Sequence, residues 1–258
     1  MSSRPPLSAF IRTKNEARMI GDVVRAALAV ADEVVVVDSG STDDTVSLAE
    51  AAGGRVIRQE WLGNGRQKRF AEAACRHDWL LDLDADEMVT PALASEIAAL
   101  FAEGAPPCRI YRTPVAIAPP VGAPWIGFGG VVRHKLYDRR AVRAPDHDAW
   151  DQFDLPPGEP VGMLKAAILH YAFADTAHLI DKLNRNSTTR AVSLAPKPLP
   201  VLILRIFLGL PFYVGKRYLL DGLFRGGVYG FAFSMMSGFG RWMRDVKMYE
   251  RVMRERAQ

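Results

Sequence analysis

Glu33 to Asp38 reads EVVVVD, four valines between two carboxylates. A strand with one wet face alternates apolar and polar residues, and this run does not. It must be covered on both faces, as inside a parallel sheet flanked by helices. The neighbouring sequence supplies the rest of such a sheet. Leu7 to Ile11 is a first apolar strand, and Ala17, Ile20, Val23, Val24, Ala27 and Leu28 form the stripe of a helix that Asn15 can cap. Ser41 or Thr42 can cap a second helix that runs to about Ala52 and stops at Gly53-Gly54. Arg55 to Gln59 is a third strand, Arg66 to about His77 a third helix, and Asp78 to Asp84 a fourth strand. Pro91 opens a further helix ending near Glu103-Gly104. This alternation predicts an α/β fold with a Rossmann-like, mainly parallel sheet.

The rhythm changes after residue 104. Residues 105–160 are rich in Pro and Gly, with short extended pieces at Arg109 to Val115 and Val131 to Tyr137. They read as a lid or acceptor region with some antiparallel strand. Thr176 to Leu194 returns to helical spacing. The expected division is a domain over 1–195, with halves 1–104 and 105–195, and a C-terminal helical segment over 196–258.

That last segment differs in charge. From Lys197 to Gln258 there are eleven Lys and Arg against four Asp and Glu, whereas the whole chain carries +4. Leu199 to Val214 and Gly226 to Gly240 are apolar blocks flanked by basic residues. A spanning helix needs roughly 20 apolar residues, and these blocks are shorter. Apolar surface beside arginine favours helices that lie in the interface of an anionic membrane, with core helices or a dimer surface as the alternative. Nucleic acid is a poor fit, since no recognised binding module accompanies the charge. Two cysteines exclude a disulfide-built scaffold, and MSSRPPLSAFIR lacks the apolar core of a leader.

The chemistry concentrates in Trp79 to Glu87, WLLDLDADE. Asp82, Asp84 and Asp86 recur at spacing two, so they emerge together where an extended strand ends. Like charges so crowded need compensation, and a hard divalent cation with oxygen ligands supplies it. An EF-hand fails, because its sixth and twelfth positions fall on Glu87 and Leu93. A phosphatase would place its acidic pair after the first strand. A glycoside hydrolase also needs two carboxylates, and that alternative stays open on residues alone, as does a solvated acidic turn. Ligands of such sheets bind outside the carboxyl ends of the strands. Asp38 ends the second strand as Asp84 ends the fourth, although an aspartate there is also a common turn former.

Four stretches carry a resemblance. IRTKNEA at 11–17, EVVVVDSGSTDDT at 33–45, GNGRQKR at 63–69 and WLLDLDADE at 79–87 resemble, in order and spacing, family 2 of the glycosyltransferases. Within it the chain is most similar to small enzymes that extend the lipopolysaccharide core. The resemblance implies the GT-A fold that binds nucleotide-diphospho-sugars. It implies that Thr13, Asn15 and Glu16 hold the nucleoside, that Asp38 accepts a hydrogen bond from the base, and that Gln67, Lys68 and Arg69 stand near the ribose and diphosphate. Lys68 and Arg69 read equally as solvated charges on a helix. Asp84 would contact the ribose or reach the metal through water, and Asp86 would hold Mn²⁺ or Mg²⁺ between the phosphates. His170 would complete that site, the alternative being a buried core histidine. Asp151 ranks first as general base and Asp148 second, by their distance from the Lys135-Leu136-Tyr137 strand. Trp150 beside them would stack on an acceptor sugar or sit in the core.

The expected function is an inverting, metal-dependent glycosyl transfer from a UDP-sugar to a lipid-linked saccharide. It would take place on the cytoplasmic side of a bacterial inner membrane, with the protein peripherally bound. The alternative is a non-catalytic or hydrolytic protein of the same fold that binds nucleotide sugars or membrane.

Overall fold

The computed structural model describes residues 4–148 and 150–257. Three residues of the segment read for a leader lie outside that range. The chain forms two units, Met1–Ala116 with Val131–Tyr171, and Ile117–Gly130 with Ala172–Gln258.

The first unit is built on one sheet. Its strands are β1 (Leu7–Thr13), β2 (Glu33–Asp38), β3 (Arg55–Arg58), β4 (Trp79–Asp84), β5 (Glu87–Val89), β6 (Ile110–Ile117), β7 (Val131–Asp138), β8 (Val161–Met163) and β9 (Ile168–His170). Their order is β3-β2-β1-β4-β7-β6-β9-β5, with β8 beside β6. The helices α1 (Ile20–Leu28), α2 (Thr45–Ala51) and α3 (Asn64–Ala74) connect the parallel strands, and α4 (Pro91–Phe101) comes after β5.

The valine run behaves as its composition requires. Val34 and Val36 point into one core with α1 and α4, and Val35 and Val37 into a second core with Ala71 of α3. None keeps more than 2% of its surface. Each buried valine contributes about 1.5–3 kcal/mol. Pairing is parallel across β3-β2-β1-β4 and turns antiparallel at β7. The region read as a lid therefore supplies two eight-residue strands, β6 and β7, as full members of the sheet.

Two caps differ from expectation. Helix α1 starts at Ile20, and Asn15 lies outside it with φ 54°. An N-cap residue normally has extended φ/ψ, so Asn15 is free to take another partner. Its carbonyl accepts the Thr42 amide at 2.8 Å, which ties the loop after β1 to the loop after β2. Asp43 caps the turn before α2 in place of Ser41 or Thr42, accepting the Thr45 amide at 3.1 Å.

The second unit holds α5 (Thr176–Ser193), α6 (Leu199–Gly215) and α7 (Gly227–Ala257). Helix α6 continues through a π turn at Lys216–Leu220. The whole piece, Leu199–Leu220, has 22 residues, and its most apolar 18-residue stretch has mean hydropathy 1.6. It is longer than the apolar block in the sequence because the helix runs on through Lys216 and Arg217, and by length and composition it can cross a membrane. Arg205 does not interrupt it. Its guanidinium reaches the buried Asp245 of α7 at 3.0 Å, and Tyr213 donates to the same carboxylate at 2.6 Å.

Candidate active site

The carboxyl ends of β1 and β4 face a cavity of ≈570 Å³ in the first unit. Thr13, Glu16, Ser39, Trp61, Asn64, Asp84, Asp86 and Asp151 are among its walls. A second cavity of ≈270 Å³ shares Arg12, Asp84 and Asp151 with the first and reaches Lys68, Asp82, Glu87, Lys135 and His170. The acidic cluster thus meets a basic one.

Each carboxylate of WLLDLDADE has its own partner. Asp82 is buried and takes Lys68 Nζ at 2.8 Å. Burial alone would raise its pKa, but the charges of Lys68, Lys135 and Arg12 outweigh that and hold it below the ordinary value. Asp84 accepts Arg12 Nη2 at 2.8 Å. Its carboxyl is likewise held down against burial, chiefly by Arg12 and then by Lys135. Glu87 takes Lys135 Nζ at 2.5 Å and accepts the Asp84 amide at 3.0 Å. Here burial prevails over Lys135, and the Glu87 carboxyl is pushed up. Internal cations therefore do most of the compensation that the sequence assigned to a metal.

Asp86 is arranged differently. Its Oδ2 lies 3.2 Å from His170 Nε2, because β5 and β9 pair Glu87 with His170. Burial would lower the imidazole, but Asp86 outweighs it and the pKa is raised. Among the described residues no group of three or more His, Cys, Asp or Glu could hold a metal. The pair nevertheless fits an ion that takes its other ligands from substrate phosphate and water, as Mg²⁺ commonly does. Neighbouring donors of an octahedral ion lie roughly 3 Å apart for bonds of about 2.1 Å. The observed separation serves a hydrogen bond without an ion and suits ligation with one.

Thr13 meets the cavity wall with a buried hydroxyl that has no hydrogen-bond partner among the described residues. Glu16 lines the same wall. Asn15 is exposed and occupied with Thr42.

Asp38 is engaged within its own loop. It is 1% exposed, and its oxygens accept the Gly40 and Ser41 amides at 3.0 Å and the Ser41 hydroxyl. It forms a turn, and the neighbouring Ser39 reaches the cavity instead. Gln67 is fully buried and braces the loop, donating to Ser39 Oγ at 3.1 Å and accepting the Leu62 amide. Lys68 is not a solvated helix charge; it is 3% exposed, with its ammonium 4.1 Å from the Phe153 ring centroid. Held by Asp82, it does not reach the larger cavity. Arg69 is half-buried and lines neither cavity.

The two base candidates separate. Asp151 lines both cavities, with Oδ2 at 3.5 Å from Arg12 Nη1. Asp148 lies away from them and pairs with Arg66 at 2.7 Å. The loop that carries them rests on the GNG turn. Asn64 and Gly65 donate their amides to the Asp148 and His147 carbonyls at 2.6 and 3.0 Å. A Cβ on Gly65 would stand 2.4 Å from the Trp150 carbonyl and 2.5 Å from that of Pro145. The glycines are there to let the acidic loop approach. Trp150 itself is 55% exposed, so it is not a core residue.

Arg12 and Lys135 were missed by the sequence reading. Both are charged residues within apolar strands. The register Leu80↔Tyr137, Leu81↔Leu136 puts Lys135 one step further on, beside Asp82. Trp61, 54% exposed on the cavity wall, was missed as well.

Comparison with known proteins shows the family. Residues 8–126 match the model of Glycosyl transferase family 2. An uncharacterized glycosyltransferase of Rickettsia felis is 32% identical over 264 residues, covering 97% of this chain and 92% of that protein. The lipopolysaccharide core biosynthesis glycosyltransferase LpsC of Rhizobium meliloti is 28% identical over 267 residues, covering 97% and 94%. Among solved structures, glucosyl-3-phosphoglycerate synthase from Mycobacterium tuberculosis overlaps 45% of this chain and 44% of its own at 26% identity and TM-score 0.35, too partial an overlap to inform the site. The chain is a glycosyltransferase, and it belongs to glycosyl transferase family 2.

Proposed function

We propose that the protein is an inverting, metal-dependent glycosyltransferase that moves a sugar from a UDP-type donor to a lipid-linked saccharide of the lipopolysaccharide-core kind. The observation that carries this reading is the grouping of Asp86, Asp84, Arg12 and Asp151 on one cavity, with His170 at hydrogen-bond distance from Asp86. Asp86 and His170 would hold the divalent ion. When bound, such an ion supplies positive charge next to the departing nucleoside diphosphate.

The protein's own groups do the rest. Thr13 Oγ1 offers a hydrogen bond to the nucleoside, and the exposed face of Trp61 a stacking surface. Arg12 fixes Asp84, leaving the carboxylate to accept from a ribose hydroxyl. Asp151 takes the proton of the acceptor hydroxyl as its oxygen bonds to the anomeric carbon and the diphosphate leaves from the opposite face. The acceptor class rests on the similarity to LpsC and on the apolar surface of the second unit, where Phe207 is 78% and Leu208 60% exposed. A peripheral position at the inner membrane face rests on the same surface and its flanking cations.

Calorimetric titration of UDP with and without Mn²⁺ tests the metal role. Wild type should bind more tightly with the ion, and Asp86→Ala should abolish that gain. Equal affinity under both conditions would sink it. Asp151→Asn should keep donor binding and lose transfer by about 10²–10⁴-fold.

A further inference from the structure

The helical unit contains a cavity that the glycosyl-transfer reading does not use. It has a volume of ≈450 Å³ and is lined from α5, α6, the π turn and α7. Five cations face it: Arg190, Lys216, Arg217, Arg241 and Arg244. Arg217 pairs with Asp221 at 2.6 Å, and Arg244 with Asp245 at 3.0 Å. Arg190, Lys216 and Arg241 have no carboxylate partner among the described residues. The Arg241 guanidinium lies 5.0 Å from the Tyr213 ring. Arg244 adds a buried Nε without a hydrogen-bond partner among the described residues.

Local structure explains how so much like charge gathers. The helix widens to a π turn at Lys216–Leu220, and the consecutive residues Lys216 and Arg217 both reach the cavity. Gly238 and Gly240 of α7 form part of the lining, where a Cβ would stand 2.6 Å from Val214 Cγ2 and 2.8 Å from Leu183 Cδ2. Such concentrated positive charge needs an anion, and the planar guanidinium suits phosphate oxygens.

We propose that this cavity binds the phosphomonoester headgroup of a lipid. The lipid, rather than a soluble phosphate, is argued from the apolar residues that succeed the cations along the chain. Leu219 and Leu220 are 63% and 78% exposed, and Phe224 and Val228 beyond them 52% and 89%. An anionic cavity ligand continuous with apolar surface is an amphiphile. The assignment rests on the reading of this unit as membrane-facing.

The test is sedimentation of the full chain with phosphatidylcholine vesicles containing phosphatidic acid. Arg190→Gln/Lys216→Gln, both exposed positions, is set against Arg254→Gln/Arg256→Gln, which removes equal charge outside the cavity. Loss of the cavity pair should weaken binding roughly tenfold, and the control pair less than about twofold. Inorganic phosphate should compete for wild type. Equal loss in both variants overturns the cavity site while leaving the membrane reading intact. Stabilisation by phosphate without capture by any vesicle overturns the lipid occupant and the membrane reading together. Melting temperatures of both variants should stay near wild type, which separates loss of binding from loss of fold.

Discussion

Lys68 and Asp82 form an ion pair at 2.8 Å with 3% and 4% of their side-chain surfaces exposed. Both residues line the smaller of the two cavities at the strand ends. They come from α3 and β4, so the pair also fastens a helix to the sheet.

Breaking one side of it leaves the other charge buried. Lys68→Met leaves Asp82 with Lys135 at 4.0 Å as its nearest ammonium. The expected cost is about 3–5 kcal/mol, measured by urea unfolding, and Lys68→Met/Asp82→Leu should recover most of it. A single variant as stable as wild type would show that the pair has no net role.

Gly65→Ala probes the loop that carries Asp151. The added methyl meets the Trp150 and Pro145 carbonyls at 2.4 and 2.5 Å, and backbone cannot turn aside as a side chain can. Displacing Asp151 by about 1 Å should lower transfer on the order of 10²-fold. Donor affinity should change little, because Thr13, Asp84 and Asp86 stand on other segments. Steady-state kinetics with a circular dichroism control separates the two effects.

Acid should weaken the fold partly through Asp84. Burial opposes the shift, but Arg12, then Lys135, hold its carboxyl below the ordinary 3.8. A carboxylate lowered in the folded state contributes stability above its unfolded pKa and loses it as pH falls through the folded one. Because 42% of the Asp84 side chain is exposed, solvent screening limits the contribution to on the order of 1 kcal/mol. Asp84→Asn should therefore be less stable at neutral pH, with a flatter stability profile below pH 3.8. Parallel profiles in unfolding experiments would count against it.

Cys75 should be inert in the folded protein. Burial, reinforced by the charge of Glu33, pushes its thiol up to about 12. At pH near 8 almost no thiolate is present. Iodoacetamide treatment and then mass spectrometry should find Cys75 labelled in urea and unmodified in buffer.

The parallel half of the sheet was legible because its determinants are local. EVVVVD announces two-faced burial, WLLDLD a strand ending in carboxylates, and Gly53, at φ 96°, stops the chain after α2 as read. The grouping of Asp84, Asp86 and Asp151 came from a family pattern that the fold then brought to one cavity. What escaped depends on pairing between distant strands. Lys135 gains its role only when β7 lies antiparallel to β4, 48 residues from Glu87 in the chain. The short strands β5 and β9 have three residues each, too few for periodicity to register. The local partners of Asp38 were also not foreseen. Its carboxylate finds amides two and three residues ahead, and this local hydrogen bonding closes the turn after β2.

The contact between the GNG turn and the acidic loop bears on how this enzyme can be re-engineered. Asn64 and Gly65 donate to the Asp148 and His147 carbonyls, and the glycines leave no room for side chains. Residues 63–65 and the described loop residues Pro145, His147, Asp148 and Trp150 therefore form one exchangeable module although about eighty positions separate them. A chimera that imports a relative's acidic loop alone inherits a lock without its key. Transplanting both segments together keeps the two sides of the contact matched, with Arg12 of β1 left to meet Asp151 from the host.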